Sequence, residues 1–475
     1  MLPRNQFLSP LLTSGGDRRI VVEAGGTTNR YGAAPYPRAT LGYSSSTAND
    51  ISAAAFRHLE SLITDSLPSA LQDAQCYRDA LAALRVRLRH WLGIDADHGV
   101  VFAPSGTDLE YVALALAAAD GRPVTNIVLG EEEVGSGCVL AAGGRLFADR
   151  TAVWPRVEQG TPLAGFGRSM VTGLPVRDPD GAPLSSPAVA LRACHLVRDA
   201  LAAGRRPIVH VVHGSKTGLV LPDPAEVKAL RCQFGDAIIM AVDACQARIE
   251  PAQVRSYLAL NCVVLLTGSK FMGGPPFCGM AIVPPALRPR DVLAPGLATV
   301  FRRGEWPADW PGLDHLSDSA NPGLLLRLEA ALFELERFAG IALSDRNRVI
   351  AAFGTAVRDL ASRLGVELVT PALEPGGLER STLATLDLTA LAGMPDHGAA
   401  IRWHRVLSAR GLRLGQPVRC LRRPDGKWAG TLRVSLSMPA IVALARMDEL
   451  ALARHFTSDM SRIAEVLEAA QRRIA

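Results

Sequence analysis

The chain has 475 residues, of which 48% are hydrophobic and 20% charged, and a formal net charge of +5. That composition fits a soluble globular protein too long for one small core. So modest a charge, spread along the chain, gives no case for nucleic-acid binding, and no apolar run approaches the ~18 residues that a membrane span needs. Eight scattered cysteines without a CxxC or Cys/His metal spacing read as reduced thiols in a cytoplasmic protein and supply no metal site. The first residues lack the basic and apolar regions of a signal peptide.

In chain order, residues 1–70 are rich in Gly, Ser, Thr, Pro and Tyr and read as surface loops. Residues 71–92 read as an amphipathic helix ending at Gly93. Gly99 to Leu116 reads as a strand, a Ser105-Gly106-Thr107 turn and a helix. A Gly/Ser/Thr turn that opens a helix points backbone N–H groups and hydroxyls at one place, where the helix dipole favours an anion. A further strand covers Asn126–Gly130. Residues 145–185 read as an insertion without chemistry, with a hairpin signal at Arg177–Pro183, and Ser186–Gly204 as a helix.

Three apolar runs then follow, each ending abruptly in small or polar residues: Ile208–Val212 before His213–Gly218, Ala237–Val242 before Asp243–Gln246, and Cys262–Leu266 before Thr267–Gly274. The helical stretches between them make the pattern βαβαβ and the sheet parallel. Ligands collect at the carboxyl ends of strands in such sheets, which brings Ser215, Asp243, Gln246 and Lys270 together. Only four of the 51 basic residues are lysine, at 216, 228, 270 and 427. An arginine would serve a salt bridge beside Asp243 equally well, whereas only a lysine can give up its proton and condense with an aldehyde, so Lys270 reads as a Schiff-base lysine. Residues 295–310 read as a mobile flap or interface loop. Ser319 and Asn321 precede a long apolar helix at Leu324–Ala339, and strands at Val366–Val369, Thr382–Leu388 and Thr431–Ser437 alternate with helices beyond it. Arg433 lies inside the last of these strands, where a charge needs a partner.

These residues resemble the core of the fold-type-I pyridoxal-phosphate (PLP) enzymes, particularly the class V aminotransferase and cysteine desulfurase group, with Asp243, Gln246, Ser269 and Lys270 in the places of that family's motif. The resemblance covers roughly residues 95–440. It implies an α/β fold of type I, with a large domain on a mainly parallel sheet and a smaller C-terminal α/β domain. The expected divisions are an N-terminal segment (1–70) near the active-site mouth, a PLP-binding domain (71–320), and an interdomain helix with the small domain (321–475). It further implies pyridoxal 5'-phosphate as cofactor. Ser105, Gly106, Thr107, Thr267 and Ser269 would hold the phosphate, Ser215 and Gln246 the ring substituents, and Asp243 the ring nitrogen. Lys270 would form the Schiff base and move the α-proton. Ser319 would reach the partner's phosphate in a homodimer with shared sites, and Arg433 would grip the substrate α-carboxylate. Tyr31, Tyr36 and Arg38 are candidates for substrate contact. One departure stands out: relatives stack a His, Trp or Phe on the ring, yet none occurs from Ile127 to Arg145, which leaves Val134, Gly135, Gly137 or Cys138 to face it.

The expected activity is an aminotransferase of class V type acting on an amino acid. A cysteine desulfurase or C–S β-lyase is the alternative, favoured by Gln246 and by Cys420 near the position of the persulfide cysteine. A catalytically inactive binding protein on the same fold is disfavoured by the intact Lys270, Asp243 and Arg433.

Overall fold

The computed structural model describes residues 4–23, 25–65, 71, 73–369, 373, 376–392 and 396–471. Its large sheet consists of β1 (Gly99–Ala103), β2 (Val124–Leu129), β3 (Met170–Leu174), β4 (Arg206–His213), β5 (Ile239–Ala244), β6 (Cys262–Thr267) and β7 (Gly279–Val283). They lie in the order β1-β7-β6-β5-β4-β2-β3, and the two-residue strand Val220–Leu221 pairs with β4. Pairings β3/β2, β2/β4, β4/β5 and β5/β6 are parallel, and β7 runs against both neighbours. Every residue of β1, β2, β5, β6 and β7 is buried. That is why these strands read as continuous apolar runs rather than alternating ones: helices cover both faces of the sheet.

The covering helices include α1 (Ala74–Leu92), α2 (Leu109–Ala118), α3 (Ser186–Ala202), α4 (Pro224–Phe234), α5 (Pro251–Ala259) and α6 (Pro322–Ala339). Helix α1 ends on Gly93 at φ 62°, a left-handed cap that favours glycine. From Leu109 to Ala117, α2 is buried on all sides. One side meets the sheet, and the other is covered by Leu297, Phe301, Trp306 and Trp310. This overturns the expectation of a flap at 295–310, because Phe301 and Trp306 are core residues at no more than 1% exposure. The expectation of a plain insertion at 145–185 is corrected as well, since Met170–Leu174 extends the sheet beside β2. Within that stretch Arg177 and Pro183 form the antiparallel bridge of a hairpin.

Beyond α6 come α7 (Leu343–Leu364), β8 (Leu383–Asp387), β9 (Leu412–Leu414), β10 (Thr431–Ser435) and α8 (Glu449–Gln471). Strand β8 lies between Glu367–Leu368 and β10, antiparallel to both. The stretch read as N-terminal loops contains helices at Arg4–Leu12 and Ala53–Asp65, and its strand Leu41–Tyr43 pairs in parallel with β9.

Arg327 of α6 ties the N-terminal arm to the large sheet. It is fully buried, and burial lowers its pKa to about 10. Its Nε donates to Phe277 O at 2.6 Å, Nη1 to Leu12 O at 3.1 Å and Ser14 O at 2.6 Å, and Nη2 to Gly15 O at 3.2 Å. Arg327→Met would leave those carbonyls unsatisfied. It is expected to cost about 3 kcal/mol of stability, read as a lowered urea midpoint, because each bond is charge-assisted and buried. An unchanged midpoint would show that the arm docks without this guanidinium.

Candidate active site

The carboxyl ends of β4, β5 and β6 open into a cavity of about 190 Å³ that Ser215, Asp243, Gln246, Thr267, Ser269 and Lys270 all line. Register explains the convergence: Val212 pairs with Asp243 and Ala244 with Leu266, so the three strands end at nearly one level. Gly106, Thr107 and Arg433 line the same cavity. Lys270 has its backbone pinned, since Asn49 Nδ2 donates to Ser269 O at 3.2 Å and to Lys270 O at 2.6 Å. The Lys270 amine itself makes no hydrogen bond or ion pair among the described residues and stands free in the cavity.

At the β1–α2 turn, Ser105 Oγ donates to Asp108 Oδ2 at 2.6 Å, and burial together with Asp17 raises the Asp108 carboxyl to about 7. Gly106 is required by close approach, because a Cβ there would stand 2.5 Å from Thr267 Cγ2. Thr267 Oγ1 in turn donates to Cys245 O at 2.7 Å. Sequence reasoning missed Arg19, whose Nη1 lies 3.2 Å from Thr107 Oγ1 and whose Nη2 lies 3.1 Å from Ser105 Oγ. Its guanidinium sits 4.8 Å from the rings of both Phe147 and Phe277, and Asp17 grips it at 2.8 Å. Burial pulls the other way, yet Asp17 holds the guanidinium above its usual range. The arm that Arg327 anchors thus brings a guanidinium, paired with Asp17, to the helix N-terminus at this turn.

At the floor, Asp243 Oδ1 accepts from Cys245 N at 3.0 Å. Gln246 Nε2 donates to Ser46 O at 3.2 Å, while its Oε1 is buried without a partner. Close by, Glu110 and His210 form a buried pair at 3.3 Å. Burial and then Asp243 raise the Glu110 carboxyl, and burial lowers His210 to about 4. Ser215 lines the cavity, but its hydroxyl donates to Glu133 Oε2 at 2.7 Å. Glu133 is held by Arg177 at 2.7 Å and by Thr217, so residues 145–185 do contribute to the site.

At the opposite wall, Arg433 of β10 is buried, and burial lowers its pKa to about 10. Its Nε donates to Gln416 O at 2.9 Å, Nη1 to Ser46 O at 3.1 Å and Lys216 O at 3.3 Å, and Nη2 to Thr47 Oγ1 at 2.9 Å. Four of its five N–H groups are therefore used, and no carboxylate among the described residues pairs with its charge. Where relatives would place a stacking ring, Val134, Gly135, Ser136 and Cys138 form the wall, and the aromatic members of the cavity are Tyr31 and Phe277, 5.6 Å apart.

Several expected residues lie elsewhere. Ser319 is exposed and accepts from Arg302 Nε at 3.1 Å. Arg38 pairs with Asp50 at 2.9 Å, and Tyr36 donates to Thr27 O at 3.4 Å, both off the cavity. His213, which ends β4 and carries no role assigned from the sequence, is turned toward Tyr257 at 3.0 Å, and burial lowers it to about 4. Cys420 is buried beside Val369 and Val418, where burial pushes its thiol up to about 12.

No protein-family model matches the chain, and no curated protein matches its sequence. Solved structures do match. The cysteine desulfurase CsdA of Escherichia coli superposes with a TM-score of 0.55 at 17% identity, over 92% of this chain and 96% of that one. The fold is that of the type-I PLP enzymes. Ureidoglycine-glyoxylate aminotransferase of Bacillus subtilis matches this type-I chain with a TM-score of 0.56 at 13% identity, over 92% and 94% of the two chains. SPT with its PLP internal aldimine matches at 0.53 and 12%, over 92% and 87%.

Arg19→Gln keeps hydrogen-bonding capacity at the Ser105–Thr107 turn but removes the charge. It is expected to weaken inorganic phosphate binding about tenfold in equilibrium dialysis, the equivalent of about 1.4 kcal/mol for one charge-assisted bond. Equal affinity in the variant would place the anion elsewhere.

Proposed function

We propose that this protein is a PLP-dependent enzyme acting on the α-amino group of an amino acid, most simply an aminotransferase of class V type. The observation that carries the reading is a lysine amine with no partner, held at a parallel-sheet edge between an anion-binding turn and an unpaired buried guanidinium. The residues present fit the cofactor. Thr107 and the one guanidinium hydrogen that Arg19 does not give to Asp17, Ser105 or Thr107 offer donors to a phosphate at the Gly106 turn, with Thr267 and Ser269 lining the same cavity, while the Ser105 hydroxyl is spent on Asp108. The buried Gln246 Oε1 lacks a partner, and Asp243 offers a carboxylate to a ring nitrogen. The likeness in fold to SPT with its PLP internal aldimine supports the same cofactor. When bound, PLP supplies an aldehyde for amines and an electron sink for the bonds of the α-carbon.

The chain's own residues do the rest. Lys270 would hold the cofactor through its unpartnered amine, and the same Nζ is the base available to take and return an α-proton. Asp243, buried at the floor, would face the ring nitrogen and favour its protonated form. Arg433 meets the α-carboxylate with its charge and its remaining Nη2 hydrogen, fixing which bond of the α-carbon stands ready to break. Arg327 and Asn49 position this machinery from a distance, through the arm and through the backbone of Lys270. Ser319 would serve the partner subunit's phosphate in a cytoplasmic homodimer.

A desulfurase needs a cysteine thiol free to reach the substrate's sulfur. Cys420 is buried off the cavity, and burial pushes the thiols of Cys138 and Cys245 well above their usual range, so aminotransfer is the better reading.

The purified chain mixed with PLP is expected to show a visible absorption band that Lys270→Ala lacks, and to convert the cofactor to pyridoxamine phosphate with a suitable amino acid. Release of sulfide or pyruvate without that conversion would favour the lyase. Arg433→Gln is expected to lower kcat/KM about a hundredfold or more, as deletion of one partner of a buried charge pair costs 2–5 kcal/mol. A loss confined to folding stability would remove Arg433 from substrate binding.

A further inference from the structure

Cations outnumber the anions available to them in this cavity. Arg19 is answered by Asp17, and Glu133 is committed to Arg177. That leaves Lys216, Lys270 and Arg433 facing Asp243. On the reading proposed above, on which this inference rests, Lys270 and Asp243 are occupied by the cofactor and Arg433 by the α-carboxylate. One cation, Lys216, is then left without an ion-pair partner in the protein and without a contact assigned to the cofactor or to the α-carboxylate.

Lys216 is one of only four lysines in the chain, and it stands in the same loop as Ser215, at the carboxyl end of β4. Its Nζ donates to the backbone carbonyl of Glu132 at 3.0 Å and forms no ion pair among the described residues. Burial first, and then Arg433, lowers its pKa to about 8 against a smaller opposing pull from Glu133. An ammonium carries three N–H groups, so two remain for a ligand. Its location gives direction as well as charge. Lys216, Ser136, Pro417 and Val418 line both the main cavity and an adjoining cleft that continues to His397, Arg419 and Trp428. Glu131 and Glu132 border that outer cleft, but neither pairs with Lys216.

We propose that Lys216 is a specificity-determining residue that binds an anionic group on the substrate's side chain, so that the preferred substrates are amino acids bearing a second negative charge beyond the α-carboxylate. A carboxylate, a phosphate or a sulfonate shares this chemistry. A structural reading, in which Lys216 only fastens the Glu132 carbonyl, would give no such preference.

The test uses the full chain loaded with PLP and scores the rate at which each amino acid bleaches the visible band. L-aspartate, L-glutamate, O-phospho-L-serine and L-cysteate are compared with L-alanine, L-serine and L-leucine, and the best anionic class names the group. At least one anionic substrate is expected to exceed the neutral ones tenfold or more in kcat/KM. Lys216→Met should erase that ratio, and Lys216→Arg should keep most of it. Neutral amino acids reacting equally well, or a Lys216→Met that slows all substrates alike, would overturn the proposal. Calorimetry with succinate, a dianion without an amine, separates the two readings because it needs no cofactor chemistry. Wild-type protein should bind succinate, and Lys216→Met should bind it at least tenfold more weakly at an unchanged Tm. Equal binding by both would sink the Lys216 assignment even where the band forms. A missing band alongside Lys216-dependent succinate binding would fail the cofactor reading alone.

Discussion

Parallel pairing among β4, β5 and β6 is the constraint on which the rest depends. Each strand is apolar until it leaves the sheet, and the register makes all three leave at one level, so chemistry-bearing residues far apart in sequence share one edge. The same edge lies beside the amino terminus of α2, where unsatisfied backbone donors favour negative charge. A cavity at this point has the Asp243 carboxylate on one side and the Gly106–Thr107 turn on the other. Lys270 enters this setting with an amine that no hydrogen bond or ion pair holds among the described residues.

The second layer of organisation comes from segments that wrap the sheet. Arg327 fastens the amino-terminal arm, the arm delivers Arg19 to the turn, and Asn49 fixes the backbone on either side of Lys270. Arg433 reaches the cavity only because Gly415 lets the chain before it approach closely. A Cβ at Gly415 would stand 2.8 Å from Arg433 Cβ. Buried arginines answered by carbonyl oxygens recur through these contacts. Such groups desolvate a charge without cancelling it, which holds the walls rigid and leaves the cavity electropositive.

How much of this was legible follows from what kind of signal each part leaves. Fully buried strands leave uninterrupted apolar runs, and their abrupt ends placed Asp243 and Lys270 together. β3 left no such run, because Met170–Leu174 is an edge strand, half exposed and broken by Gly173. The 295–310 stretch looked like a loop from its prolines and glycines, while its aromatic residues, which decide its burial, carry no periodicity. Arg19, Asn49 and the Glu133–Arg177 pair act across separations of 44 to 221 residues, and polar contacts at that range write no local pattern. Lys216 was visible as a rare residue type. Its direction was not, because it depends on how the Ser215–Gly218 turn folds back against Glu132.

The pairing of Leu41–Tyr43 with Leu412–Leu414 makes one wall of the cavity depend on a long-range contact. Closure across some 370 residues is slow compared with local folding. The large sheet, whose strands meet over shorter separations, can therefore form with Lys270 at its edge before the wall that carries Arg433 docks against it.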